Sequence, residues 1–143
     1  SDTVTVSFWW KSPGSLPGYN MKFIHQDDGS GTGRNWIQKG GAGDFECNFG
    51  GNAKSLGPTI QTDTLYHLVM TVDSGNVTFW VNGVQTADNS YGIETATGKM
   101  VIGASKVQNG EGDRLVGRLG DLAIWDKLLT ESEILDLYNQ GTE

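Results

Sequence analysis

The chain has a single cysteine, Cys47, among its 143 residues. An internal disulfide is therefore excluded, and a buried, inert thiol on a strand is expected there. Proline is scarce, with 3 residues against 21 glycines. Cations are in the minority: 10 Lys and Arg stand against 17 Asp and Glu, a net charge of −7. Such a chain has no electrostatic footprint for phosphate backbones and shows no basic cluster, so nucleic acid and anionic membrane are poor partners. No apolar run approaches the roughly 20 residues of a membrane span, so no membrane insertion is expected. No signal peptide opens the chain. The histidines, His25 and His67, lie far apart and fit no triad or H-x-x-E pattern. Both are expected to be ordinary sheet residues. No Gly-rich segment follows a strand and opens a helix, so no nucleotide loop is indicated.

What the chain does have is alternation. Val4, Val6, Phe8 and Trp10 share one face of a strand, with Thr5, Ser7, Trp9 and Lys11 on the other. Met21 to His25, Asn35 to Lys39 and Phe45 to Phe49 read as further strands, the last placing Phe45, Cys47 and Phe49 on one face. Leu65 to Ala87 reads as two or three adjacent antiparallel strands, turned at Asp73-Ser74-Gly75-Asn76 and at Asn82-Gly83. Asn-Gly is the dipeptide of a type I′ hairpin, which needs φ > 0 at both central positions. Met100 to Ala104 and Leu115 to Trp125 follow, the latter bent at Gly117 or Gly120. Ser12 to Tyr19, Asp27 to Gly33, Gly50 to Pro58, Asp88 to Lys99 and Lys106 to Asp113 read as loops or connections, with Tyr91 and Ile93 anchoring the fourth.

The end changes period. Thr130 and Glu133 form a capping box, Ile134, Leu137 and Tyr138 fall at helical spacing, and Gly141 suits the C′ position. Eight to ten short strands with Gly-rich turns and one short C-terminal helix predict an all-β antiparallel sandwich, one domain over residues 1–143. Function then lives at sheet edges and inter-strand loops.

Several segments resemble a known family. VTVSFWWK is similar to the opening strand of bacterial laminin-G-like, concanavalin A-like jelly rolls. LYHLVMTVDSGNVTFWVNGVQ is similar to their central hairpin, with Tyr66 in place of the usual Trp, Trp80 for Tyr, and Asn82-Gly83 for Asp-Gly. LVGRLGDLAIWDKLLTESEILDLYNQG resembles their ending. The resemblance runs from about Thr5 to Gly141. It implies a lectin-like binding module for a glycan or protein ligand, in an extracellular, cell-surface or virion setting. Family members usually carry a further strand before the opening one. Its apparent lack here suggests an uncovered sheet edge and a homo-oligomer that closes it.

Glycosidases of this fold carry paired carboxylates in an E-x-D-x-x-E pattern, and retaining enzymes need them about 5 Å apart. The one E-x-D here, Glu111-Gly112-Asp113, sits among glycines and lacks the second Glu, so no enzyme is expected. Asp27-Asp28-Gly29 hints at a calcium loop, but an EF-hand counted from Asp27 would need Glu where Gln38 stands. The resemblance instead implies calcium ligands at Asp121 and Asp44.

Aromatic residues carry the ligand expectation. Trp9, Trp36, Trp80 and Trp125 fall off the main aliphatic register, beside Thr5, Ser7, Gln38, Thr78, Asn82 and Asp121. A flat ring stacks on the apolar face of a pyranose while amides and carboxylates fix its hydroxyls. Trp9 and Trp125 match structural positions of the family. Trp36 and Trp80, with Tyr91 and Asn82, are the expected ligand contacts. The competing expectation is that the C-terminal helix or loops bury this second face.

Overall fold

A computed structural model describes residues 3–27, 34–49, 52–91, 99–107 and 110–141. The first sheet contains β1 (Thr3–Lys11), β6 (Leu65–Asp73), β7 (Asn76–Val81), β8 (Val84–Ser90) and β12 (Arg118–Trp125), in the order β12-β1-β6-β7-β8. The second contains β2 (Met21–Asp27), β3 (Arg34–Lys39), β4 (Asp44–Phe49), β5 (Asn52–Thr59) and β9 (Lys99–Ile102), in the order β5-β4-β3-β2-β9. All pairings are antiparallel. A small hairpin, β10 (Ser105–Val107) and β11 (Gly110–Gly112), and the helix α1 (Glu131–Gln140) complete the fold.

The core lies between the sheets and follows the alternation. Val6, Phe8 and Trp10 of β1 meet Phe23, Ile37, Phe45 and Cys47 of the second sheet, with Leu68 and Phe79 beside them. The rings interlock: Trp10 meets Phe23 edge-on at 4.9 Å, and Phe45 meets Tyr66 edge-on at 5.3 Å. Each such side chain contributes about 1.5–3 kcal/mol by leaving water. Leu65 to Ala87 forms β6, β7 and most of β8 as expected. Both turns are left-handed at their central pairs, Ser74 and Gly75 (φ 48° and 89°) and Asn82 and Gly83 (φ 52° and 75°), the type I′ geometry that matches strand twist.

Three expected loops are strands in part. Gly50 to Pro58 contains most of β5, an edge strand that tolerates Pro58 because its outer N–H positions need no partner. Asp88 to Ser90 continue β8. Lys106 to Asp113 contains most of the β10–β11 hairpin. Conversely, the last strand begins only at Arg118. Before it, Gly117 (φ 110°) passes so close to β1 that a Cβ there would overlap the carbonyl of Lys11 and lie 2.7 Å from Trp10 Nε1. The expected bend near Gly120 is a bulge. Trp9 pairs with Gly120 but Ser7 with Ala123, so Asp121 (φ 50°) and Leu122 on β12 stand against the single residue Phe8 on β1.

The helix starts as its sequence requires. Thr130 Oγ1 accepts from Glu133 N–H, and the Glu133 carboxylate accepts from Thr130 N–H at 2.7 Å. Its end differs from the expectation: Gly141 is right-handed (φ −84°), not left-handed. Glycine is needed there for closeness, since a Cβ would overlap the Trp9 indole and lie 2.7 Å from its Nε1. The helix lies on the outer face of the first sheet. Ile134, Val69, Trp80 and Leu129 form a second buried cluster, with Trp125 and Leu137 packed against it.

Candidate functional site

The helix decides the fate of several expected ligand contacts. Trp80 is 9% exposed, and its Nε1 is buried without a partner. Its ring therefore offers no face to a sugar, and the competing expectation of a covered face holds for it. Asn82 is half-buried and ties its turn to β6: Oδ1 accepts from His67 N–H, and Asn82 N–H donates to His67 O, both at 2.8 Å. Tyr91 is 9% exposed and points inward, its Oη 2.8 Å from Cys47 Sγ, with Lys54 Nζ over the ring at 4.5 Å. Burial pushes the Cys47 thiol up to about 11, so it stays protonated and inert, and it also raises the Tyr91 phenol. Trp80 and Tyr91 are engaged in packing and Asn82 in turn geometry.

His67 and Trp9 belong to the same covered face. Trp9 stacks on Tyr138 at 5.9 Å and lies 4.8 Å from the His67 ring. His67 Nε2 is 2.8 Å from Ser7 Oγ, while Nδ1 is buried without a partner. Burial lowers the His67 pKa to about 4.

The outward face of the second sheet is different. Apart from Trp36, the residues on β2, β3 and β4 that alternate with the core are polar, yet several are nearly inaccessible. Lys22, His25, Gln38 and Asn48 are all buried, Gln38 being 2% exposed. Lys22 and Gln38 belong to a continuous row. Lys22 pairs across the strands with Gln38, Gln38 with Glu46, and Glu46 with Ser55. Lys22 Nζ donates to Gln38 Oε1, and Gln38 Nε2 donates to Glu46 Oε2 at 2.7 Å. Lys22 Nζ also lies 3.9 Å from Asp113 Oδ2, so the loop before β12 caps the row. On β4, Asp44 shares the face of Glu46, and its Oδ2 accepts from Ser55 Oγ at 2.6 Å. Exposure rises along the row, from buried Lys22 and Gln38 to half-buried Glu46 and Asp44 and exposed Ser55. The face is thus closed around Lys22 and Gln38 and opens at Glu46, Asp44 and Ser55.

Trp36 occupies the next register position, between His25 on β2 and Asn48 on β4. Of the four expected ligand contacts, it is the one on a strand of this sheet. The residues missed were Lys22, Glu46 and Asn48. Their signal was present: each is a polar position between apolar core residues on a strand already recognised, and Asp44-x-Glu46 is a paired-carboxylate pattern in D-x-E order.

The expected calcium ligands are not brought into one site. Asp44 starts β4 of the second sheet, and Asp121 is exposed on the bulge of β12 in the first. Asp44 Oδ1 is buried without a partner, but Ca²⁺ takes six to eight oxygens. Among the described residues no three His, Cys, Asp or Glu gather at one point, so this pair does not fit the ion. Asp28 and Gly29 lie outside the described residues, and so does Ile93.

Two five-stranded antiparallel sheets packed over one core, with a short C-terminal helix, define a concanavalin A-like β-sandwich. The chain belongs to the concanavalin A-like lectin/glucanases superfamily, whose laminin-G-type profile matches residues 1–135. No curated protein matches it. Similar solved structures include a Bacteroides ovatus protein provisionally described as carbohydrate binding (20% identity, TM-score 0.74, 94% of this chain and 40% of that one). A Trypanosoma rangeli sialidase mutant displaying trans-sialidase activity is also similar (17%, 0.76, 98% and 23%). So is domain 4 of AbnA, an extracellular arabinanase of Geobacillus stearothermophilus, in complex with arabinotriose (22%, 0.70, 96% and 66%). The chain spans less than half the length of the first two.

Proposed function

We propose that the domain is a non-catalytic binding module that recognises carbohydrate on the outward face of its second sheet. The observation that carries this reading is the half-buried Glu46 carboxylate at the open end of the row, fixed before any ligand arrives by buried Gln38, which Lys22 holds in turn. Preorganised polar groups lower the ordering cost of binding. Hydroxyl-rich ligands need such arrays with a flat apolar surface beside them, and Trp36 at the neighbouring register position is the candidate for that surface. The similar arabinanase domain and Bacteroides protein support the ligand class.

The carboxylates Asp44 and Glu46 do not argue for hydrolysis. Each accepts a hydrogen bond from a neutral side chain, Ser55 and Gln38, and is held as an acceptor for a ligand hydroxyl. An extracellular, cell-surface or virion setting fits this role; among the described residues no helix is long and apolar enough to cross a membrane. Glycan-array binding by the intact chain, weakened in Trp36→Ala, is the expected result. Binding to no glycan would remove the reading.

A second reading is assembly through a sheet edge. Edge strand β9 carries Met100 and Ile102, 47% and 50% exposed, and unpaired apolar edges associate. Light scattering at micromolar concentration tests it: a stable oligomer that Ile102→Lys dissolves supports assembly, and a monomer removes it.

A further inference from the structure

The polar row ends in a carboxylate whose chemistry its neighbours dictate. The Gln38 amide has one possible orientation. Lys22 can only donate and so takes Oε1; the Glu46 carboxylate can only accept and so takes the Nε2 hydrogen. Glu46 Oε2 is thereby engaged, while Oε1 accepts from no described residue. The carboxylate lies where the face opens, beside exposed Ser55. Gly40 makes this placement possible: a Cβ there would overlap Glu46 Cδ and Oε1 and lie 2.7 Å from Oε2. Lys22, the cation of the row, has an 8% exposed side chain held between Asp113 and Gln38. The open end therefore presents the Glu46 carboxylate, with a second carboxylate, Asp44, on the same strand held by Ser55.

We infer that Glu46 is the ligand-orienting acceptor of this face, and that the face selects neutral, hydroxyl-bearing glycans over anionic ones. This rests on the reading of the face as a glycan site. A sugar hydroxyl donates to Glu46 Oε1 in a charge-assisted hydrogen bond. A uronate at the same place meets two carboxylates, and the cation of the row is already committed. Like charges placed together at an interface exclude the wrong partner more strongly than neutral contacts do.

The test is calorimetric titration of the intact chain with arabinotriose, xylotriose, cellotriose, mannotriose and trigalacturonate. It compares the unaltered protein with Glu46→Gln and Gly40→Ala. The Gly40 variant is informative because residue 40 is not left-handed and the group in the way is the end of a flexible side chain. The fold should survive while the carboxylate moves, which a thermal melt verifies; Glu46→Gln, nearly isosteric, is the second route. The expected result is binding of at least one neutral trisaccharide, weaker by about tenfold in both variants, and no binding of trigalacturonate. Neutral binding unchanged by both variants, or trigalacturonate bound as tightly as the best neutral sugar, overturns the inference and leaves the glycan reading standing. No binding of any of the five by the unaltered protein overturns both.

Discussion

Replacing Gly141 with alanine tests how the C-terminal helix is held. The backbone permits the change, since Gly141 is right-handed at φ −84°. The space does not. The new Cβ would overlap the Trp9 ring and lie 2.7 Å from its Nε1. Trp9 cannot swing away freely: it stacks on Tyr138 and packs on His67. Overpacking against a rigid neighbour costs about 1–3 kcal/mol. For a domain of this size each kcal/mol moves Tm by about 3–4 °C, so the expected loss is about 3–12 °C. Gly120→Ala is the control, because a Cβ there meets nothing within 4 Å and residue 120 is not left-handed. It should change stability by no more than about 0.5 kcal/mol. Thermal unfolding followed by circular dichroism reads both. If Gly141→Ala melts within about 1 °C of Gly120→Ala, the helix end does not rest on Trp9 as described.

His67 makes stability pH-dependent. Its pKa falls from 6.5 to about 4 on folding because burial disfavours the charged ring, so the unfolded chain binds the extra proton. The stabilisation is whole above pH 6.5 and is lost as pH falls towards 4, on the order of 3 kcal/mol in total. Urea midpoints between pH 7 and pH 4 should show that slope, and His67→Gln should flatten it; an equal slope in both would refute the assignment. Trp80→Ala should cost about 3–5 kcal/mol, as for a large buried side chain. Trp36→Ala should weaken retention on a glycan affinity gel; unchanged retention would remove Trp36 from the ligand face. Thr130→Ala removes the helix cap and should cost about 1 kcal/mol in urea unfolding; no change would mean the helix adds nothing to stability.

Much of the fold was legible because alternation and turn chemistry are local. Val4 to Lys11 and the Asn82-Gly83 turn declare themselves within a few residues, and the capping box of Thr130 and Glu133 does the same. β5 was not legible, since Ser55-Leu56-Gly57-Pro58 has turn composition, and only pairing with β4 makes it a strand. The site was harder still. Trp80 and Trp36 occupy equivalent off-register positions, and nothing local says that α1 covers one of them. Which outward face is buried depends on where a helix 50 residues further along the chain comes to rest. Lys22, Gln38 and Glu46 are equally scattered in sequence, and sheet register alone joins them.

The most direct measurement is the mapping of amide chemical shifts in the isotopically labelled chain as a bound neutral oligosaccharide is titrated in. The account predicts perturbations clustered on β3, β4 and β5, with Gln38, Glu46, Asn48 and Ser55 among the largest and the outer face beneath α1 unchanged. Shifts confined to that helix face or to the β9 edge, or none with any glycan, would contradict it.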